Sequence, residues 1–200
     1  MTAISDYASL LVDAGEYSGR NDIAHLFPRF IGLAEIKLNR ALRVADMEVV
    51  GTVTLTGGSG PLPVDFLEAR EVKNASGIPI RAVALQQQTA SYMGRSGIPA
   101  GYAIIGNTIN VAPSADGSLT VTYYGKIPAL TAAAPTNWLL TKAPDVYLYA
   151  LVTEIAIWER DVAKVQAAQQ LMSLALSGIG IQDERARWGN AQVVVGGVTP

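Results

Sequence analysis

The chain has 200 residues, of which 50% are hydrophobic and 16% charged, a composition typical of a folded globular protein. It contains no cysteine, which excludes disulfides and thiolate metal sites and is typical of synthesis in a reducing cytoplasm. Fifteen basic and seventeen acidic residues give a net charge of −2, far from the basic balance of proteins that bind a nucleic-acid backbone tightly.

The first part of the chain is predicted to be helical. It begins with MTAISDYASLL, which has no basic segment ahead of an apolar run, so we expect no secretion. No stretch reaches the roughly 18 uninterrupted apolar residues of a membrane span, so we expect no membrane insertion. Residues 3–17 and 21–43 are predicted helices separated by Ser18-Gly19-Arg20, and Pro28 predicts a kink or a later start in the second.

The middle of the chain is predicted to form a small antiparallel sheet. β-branched residues alternate in MEVVGTVTL, and a glycine-rich turn follows. Gly106-Asn107 is a two-residue hairpin signal between two strands, and residues 86–93 predict a short helix. The further expected strands are 67–72, 78–85, 102–105, 108–111 and 119–124.

The chain then returns to helix. Pro144 and Asp145 predict a helix start, because proline suits the first turn and a carboxylate complements the positive helix end. This helix continues to Asp161 with a broad apolar surface, in which we expect Trp158 to be a core residue. Asp161 predicts the cap of a further helix.

The end of the chain contains the first candidate interface. The last predicted helix meets Gly178-Ile179-Gly180, beyond which it either continues or restarts. Residues 189–200 have a short β-prone centre and no core around them, so this tail is expected to need a partner. Trp188 beside the tail is a candidate interface anchor.

No catalytic, cofactor-binding or metal-ligating residue is predicted. His25 is the only histidine, which excludes a histidine-based acid–base pair and a multi-histidine metal site within one subunit. Asp65, Glu68 and Glu71 are clustered acids without a calcium-loop spacing, and solvated strand positions explain them better. The glycines of TGGSGP lack the lysine of a phosphate-binding loop and predict a hairpin tip.

Four segments carry a resemblance to a known family. In chain order they are LAEIKLNRALRVADME, LPVDFLEAREV, IPAGYAIIGNTINVAPSADGSLTVTYYGKIPAL and NWLLTKAPDVYLYALVTEIAIWERD. Their order and spacing over residues 20–176 resemble the head-to-tail adaptor proteins of tailed bacteriophages, the ring component below the portal, especially the type found in short-tailed phages.

The resemblance implies an α+β fold: a mainly α-helical bundle of about four helices, an inserted small antiparallel β-domain and an extended C-terminal tail. The expected divisions are N-terminal bundle helices in residues 1–46, the β-rich insertion in 47–128, C-terminal bundle helices in 129–188 and a portal-binding tail in 189–200.

The resemblance also implies a function without catalysis. A structural virion protein, located between head and tail, would form a ring of about twelve copies that joins the portal to a tail or nozzle protein. DNA would pass through the central channel without specific binding, and no cofactor would be needed. The residues expected to contact the portal or a neighbouring subunit are Trp188, Val193, Val194, Val195 and Val198.

Three alternatives stay open at this point. One is a head-completion or tail-terminator ring of a tailed phage. Another is a small-molecule-binding domain or enzyme with Asp65 and Glu68 in a cleft, against which stands the missing set of nucleophile, base and orienting group. The third is a DNA-binding module.

Overall fold

The computed structural model describes residues 4–85 and 95–188. They fall into two compact units: one comprises the residues before Asp46 together with those from Ile127 onward, and the other is Asp46–Lys126. The helix predicted at 86–93 and the tail at 189–200 lie outside the described residues.

The first unit is helical. A helix boundary occurs where the sequence offers a cap or a proline. Asp6 and Ser9 cap the first helix reciprocally, and Gly19 ends it with φ of +70°. The second helix follows a 3-10 turn, Asn21–Leu26, and starts late because Pro28 belongs to its first turn. The helices of the described residues are α1 Tyr7–Ser18, α2 Phe27–Ala41, α3 Trp138–Lys142, α4 Pro144–Glu159 and α5 Val162–Trp188.

Helix α4 is the centre of this unit and packs against the other four helices. It starts at Pro144 as predicted, and Tyr147, Leu151 and Ile155 on it are almost completely buried. The expectation that Trp158 is a core residue is wrong: its side chain is 55% exposed, although its ring lies 6.1 Å from that of Phe30. No described helix is both long enough and apolar enough to cross a membrane.

In the part of the chain that the structure describes, the second unit is a seven-stranded sheet with its own hydrophobic core. In spatial order the strands are β1-β7-β3-β4-β5-β6-β2, and every neighbouring pair is antiparallel except the parallel pair of β4 and β5. The tight turn between Thr56 and Ser59 joins the two edge strands, so the sheet curls almost into a barrel. The strands are β1 Glu48–Leu55, β2 Ser59–Pro61, β3 Phe66–Lys73, β4 Pro79–Ala82, β5 Gly101–Ile105, β6 Thr108–Ala112 and β7 Gly117–Gly125.

The prediction of a mainly α-helical bundle with a small antiparallel β-domain is therefore wrong. Of the described residues, 48% are helical and 26% lie in strands, and the strands form one mixed sheet. The physical reason is the connection from β4 to β5 through residues 83–100, which is long enough for a crossover that returns the chain in the same direction. Local alternation of side chains identifies strands but carries no information about which strands pair.

Candidate interaction surface

The side chains that the sequence offered as candidates for catalysis or ligand binding lie in exposed turns or in local structural contacts. His25 is exposed in the 3-10 turn before α2. Glu71 on β3 pairs with Lys73 at 2.7 Å, and Asp116 accepts a hydrogen bond of 2.6 Å from the N–H of Gly57 in the TGGSGP turn. Among residues 4–85 and 95–188, no group of histidines and carboxylates is arranged to hold a metal ion.

Asp65, the first of the clustered acids, forms a hydrogen bond with a buried side chain of the sheet. Its Oδ1 accepts a hydrogen bond of 3.0 Å from the hydroxyl of Tyr123, which is 3% exposed on β7. Burial first, and then the neighbouring Asp65 carboxylate, raise the pKa of Tyr123 to about 12. Asp65 thereby connects the entry of β3 to the centre of the sheet.

Removing this hydroxyl should have a modest effect. We expect Tyr123→Phe to lower the free energy of unfolding by about 1 kcal/mol, because one hydrogen bond is lost while the ring remains packed. Urea denaturation measures the change. Tyr124→Phe is the matched control on the same strand, since Tyr124 is only half-buried, and it should change stability by less than about 0.5 kcal/mol. Equal effects of the two variants would contradict the role of the Asp65 contact.

In the helical unit, a buried polar cluster fixes the segment that leads into α3 and α4. Glu35 of α2 is 8% exposed, and its Oε1 accepts hydrogen bonds from the N–H of Leu130 at 2.7 Å and the hydroxyl of Tyr147 at 3.0 Å. Burial raises the pKa of the Glu35 carboxyl, while these two hydrogen bonds act in the opposite direction. The sequence showed Glu35 only as a polar residue on an apolar helix.

Asn137 completes this cluster. Its Nδ2 donates to the carbonyl of Pro128 and to the hydroxyl of Tyr147, both at 2.7 Å, while its Oδ1 caps α3 through the N–H of Leu140 at 2.9 Å. The positions of α2, α3 and α4 are thus linked by side chains that satisfy one another's hydrogen-bonding groups.

The direction of α5 is set at its first turn. Arg160 adopts φ of +59° and ends α4, and Asp161 caps α5 by accepting from the N–H of Lys164 at 3.1 Å. Glu159 accepts from Arg20 at 2.8 Å and from Lys164 at 2.9 Å. The side-chain hydrogen bond from Lys164, followed by that from Arg20, lowers the pKa of Glu159. The carboxylate is therefore charged and joins the start of α5 to the end of α1.

Helix α5 runs without interruption through Gly178 and Gly180. Of its 27 residues, only Ala168 is buried. One face, with Met172 and Leu176, is half-buried. That face includes part of the apolar stripe visible in the sequence.

A second line of residues, apolar except for Arg185, follows another face of α5. We call it the α5 seam, and its members recur at alternating spacings of four and three residues, the pattern of helices that pack side by side. Leu174 and Trp188 are each 68% exposed, and Ile181 is 52% exposed. The α5 seam consists of Ala167, Leu171, Leu174, Gly178, Ile181, Arg185 and Trp188.

Open space adjoins the first half of the α5 seam. A cleft of 480 Å³ is lined by Tyr149 of α4 and by Leu171, Leu174 and Gly178. A smaller cavity of 190 Å³ lies beside Tyr17, Ala167 and Leu171. The small side chains along this part of the helix leave room for side chains from another molecule.

The predicted interface residues fall at or beyond the end of the described helix. Trp188 is the last residue of α5 and belongs to the seam. Val193, Val194, Val195 and Val198 lie outside the described residues. Leu174 and Ile181 were not predicted from the sequence, although Leu174, Ile181 and Trp188 follow one another at intervals of seven residues.

Comparison with known proteins gives one clear match. The family model described as SU10 adaptor protein matches residues 5–196, nearly the whole chain. No curated protein sequence matches it. The family match confirms the resemblance to phage head-to-tail adaptors predicted from the sequence.

Proposed function

We propose, from the premise that this chain belongs to the SU10 adaptor protein family, that its copies form a ring joining the portal to the tail around a channel for DNA. Family membership makes the chain a structural adaptor protein of a phage and a virion component at the head–tail junction. It also implies association with portal and tail proteins.

The main observation that supports ring formation is the exposure of the α5 seam. An amphipathic helix gains most of its stability from tertiary packing, and exposed contiguous apolar side chains mark protein-interaction sites. Leu174, Ile181 and Trp188 are large exposed apolar side chains at intervals of seven residues along one line of a helix with a single buried residue. A ring of identical copies would cover this line in every subunit through a repeated head-to-tail contact.

The tail is the proposed contact with the portal. Residues 189–200 contain no charged side chain, and their valines favour pairing in extended conformation. Apolar contacts or strand addition to the portal would offset the entropy of ordering this segment. The near-neutral charge of the chain suits a channel through which DNA slides without strong binding.

Deletion of residues 189–200 tests this function. Purified portal rings are mixed with the intact protein or the shortened protein and imaged by electron microscopy. We expect the intact protein to add a ring to one rim of the portal and the shortened protein to add none, while its melting temperature stays within about 2 °C.

Two further variants distinguish the effect of apolar side chains in the tail from the effect of the length of the tail. Replacing Val193, Val194, Val195 and Val198 with serine should abolish attachment, whereas replacing Asn190 and Gln192 with serine should preserve it. Unchanged attachment of the shortened protein would contradict the tail contact. A ring located away from the portal in intact particles would instead favour a tail-terminator protein.

A further inference from the structure

A second exposed helical line exists on α2. Its spacings of four, three and four residues match those of the α5 seam. Leu33 is 43% exposed and Ile36 49% exposed, and an exposed arginine lies at each end of this apolar pair. We call Arg29, Leu33, Ile36 and Arg40 the α2 seam.

The α2 seam is somewhat shorter than the exposed part of the α5 seam. The α2 seam covers eleven helical steps, about 16 Å at the rise of an α-helix. The exposed half of the α5 seam, from Leu174 to Trp188, covers fourteen steps, about 21 Å. Ile181 at the centre of the longer line can therefore lie between Leu33 and Ile36 while the other large side chains of α5 flank them.

Charge complementarity between the seams is limited to Glu184, because Arg185 within the α5 seam has the same sign as the two arginines of the α2 seam. Glu184 lies one turn beyond Ile181 and is exposed, and neither Glu184 nor the two arginines of the α2 seam has a partner within the described ranges 4–85 and 95–188. Because an arginine lies one turn beyond the apolar pair at each end of the α2 seam, Glu184 can meet an arginine in either relative direction of the helices. The longer Arg185 side chain can extend to solvent beside the contact.

We propose that the α5 seam of one copy packs against the α2 seam of the next copy. This inference rests on the proposed ring. A closed ring needs two different, mutually complementary surfaces on every subunit, and the two seams satisfy that requirement. Pairing of two α5 seams would instead make a symmetric dimer and leave both α2 seams exposed.

Cysteine cross-linking tests the contact directly, because the natural chain has no cysteine. The double variant Ile36→Cys with Ile181→Cys is oxidised alone and on portal rings, then run on a non-reducing gel. We expect a ladder of covalent oligomers, since each subunit links to two neighbours. A mixture of the two single variants should give covalent dimers, and each single variant alone should give monomers.

The matched control combines Ile36→Cys with Ala186→Cys, an exposed position about 140° around α5 from Ile181, and should lose the ladder. Dimers from Ile181→Cys alone would overturn the proposal in favour of α5–α5 pairing. A ring visible on the portal without a ladder would overturn this inference and leave the proposed function intact. If the intact protein forms no ring on the portal, the proposed function itself fails.

Discussion

We expect Glu35→Ala to lower the free energy of unfolding by roughly 3 kcal/mol, one of the largest effects of any single change in the helical unit. The substitution removes the shared acceptor of the Leu130 N–H and the Tyr147 hydroxyl. Tyr147 is fully buried, so no water replaces the lost partner without rearrangement. Urea denaturation followed by circular dichroism measures the loss.

The control is Glu35→Gln, which keeps an oxygen at the Oε1 position and removes the charge. In the natural protein, the contribution of Glu35 to the free energy of unfolding depends on pH, and the sign of this dependence follows from its pKa. Burial raises the folded-state pKa of Glu35 above the ordinary value of 4.5, so the folded state binds the proton more strongly than the unfolded state. The contribution of Glu35 to stability is therefore greatest below pH 4.5 and decreases as the pH rises through the folded-state pKa.

Glu35→Gln should lack this decrease and gain stability relative to the natural protein as the pH rises above 4.5. Parallel unfolding curves across that range compare the two proteins. A natural protein that becomes more stable, relative to Glu35→Gln, as the pH rises would contradict a raised folded-state pKa of Glu35.

Local features of the fold were predictable from the sequence. Pro144 and Asp145 identified the start of α4, Pro28 indicated the late start of α2, and Gly106-Asn107 identified the hairpin between β5 and β6. In each case a residue's own backbone preference or cap determines the structure, so nearby residues contain sufficient information.

Features that depend on distant residues were not predictable in this way. Glu35 meets Leu130 and Tyr147 across 95 and 112 positions of the chain, and β7 enters the sheet between β1 and β3. Strand pairing of this kind depends on tertiary packing and long connections. The predictions of the fold class and of the burial of Trp158 were wrong for the same reason, because both depend on packing between distant parts of the chain.

The candidate interface was predictable in part. Trp188 was predictable as a candidate anchor because it lies beside a tail without a core, but the sequence could not show which face of α5 packs against α4. Both faces carry apolar residues at helical spacing. Only the burial of Ala168 and the exposure of Leu174 and Ile181 distinguish the packed face from the α5 seam.

Two leucine-to-alanine variants should separate core packing from assembly. Leu151 is 0% exposed at the centre of α4, so Leu151→Ala should lower the free energy of unfolding by about 2–5 kcal/mol through lost burial and the cavity left behind. Leu174 is 68% exposed, so Leu174→Ala should change stability by less than about 0.5 kcal/mol. Urea denaturation of the isolated proteins compares them.

The two variants should rank in the opposite order when the measurement is assembly of the protein into a ring on the portal. Leu174→Ala removes part of the α5 seam and should weaken ring formation, whereas Leu151→Ala, kept at a temperature where it remains folded, should form rings normally because its missing atoms lie inside the subunit. The two variants delete the same atoms, so the difference measures location alone. Equal destabilisation by both changes would mean that Leu174 is packed within its own chain, and undiminished ring formation by Leu174→Ala would remove the α5 seam from the subunit contact.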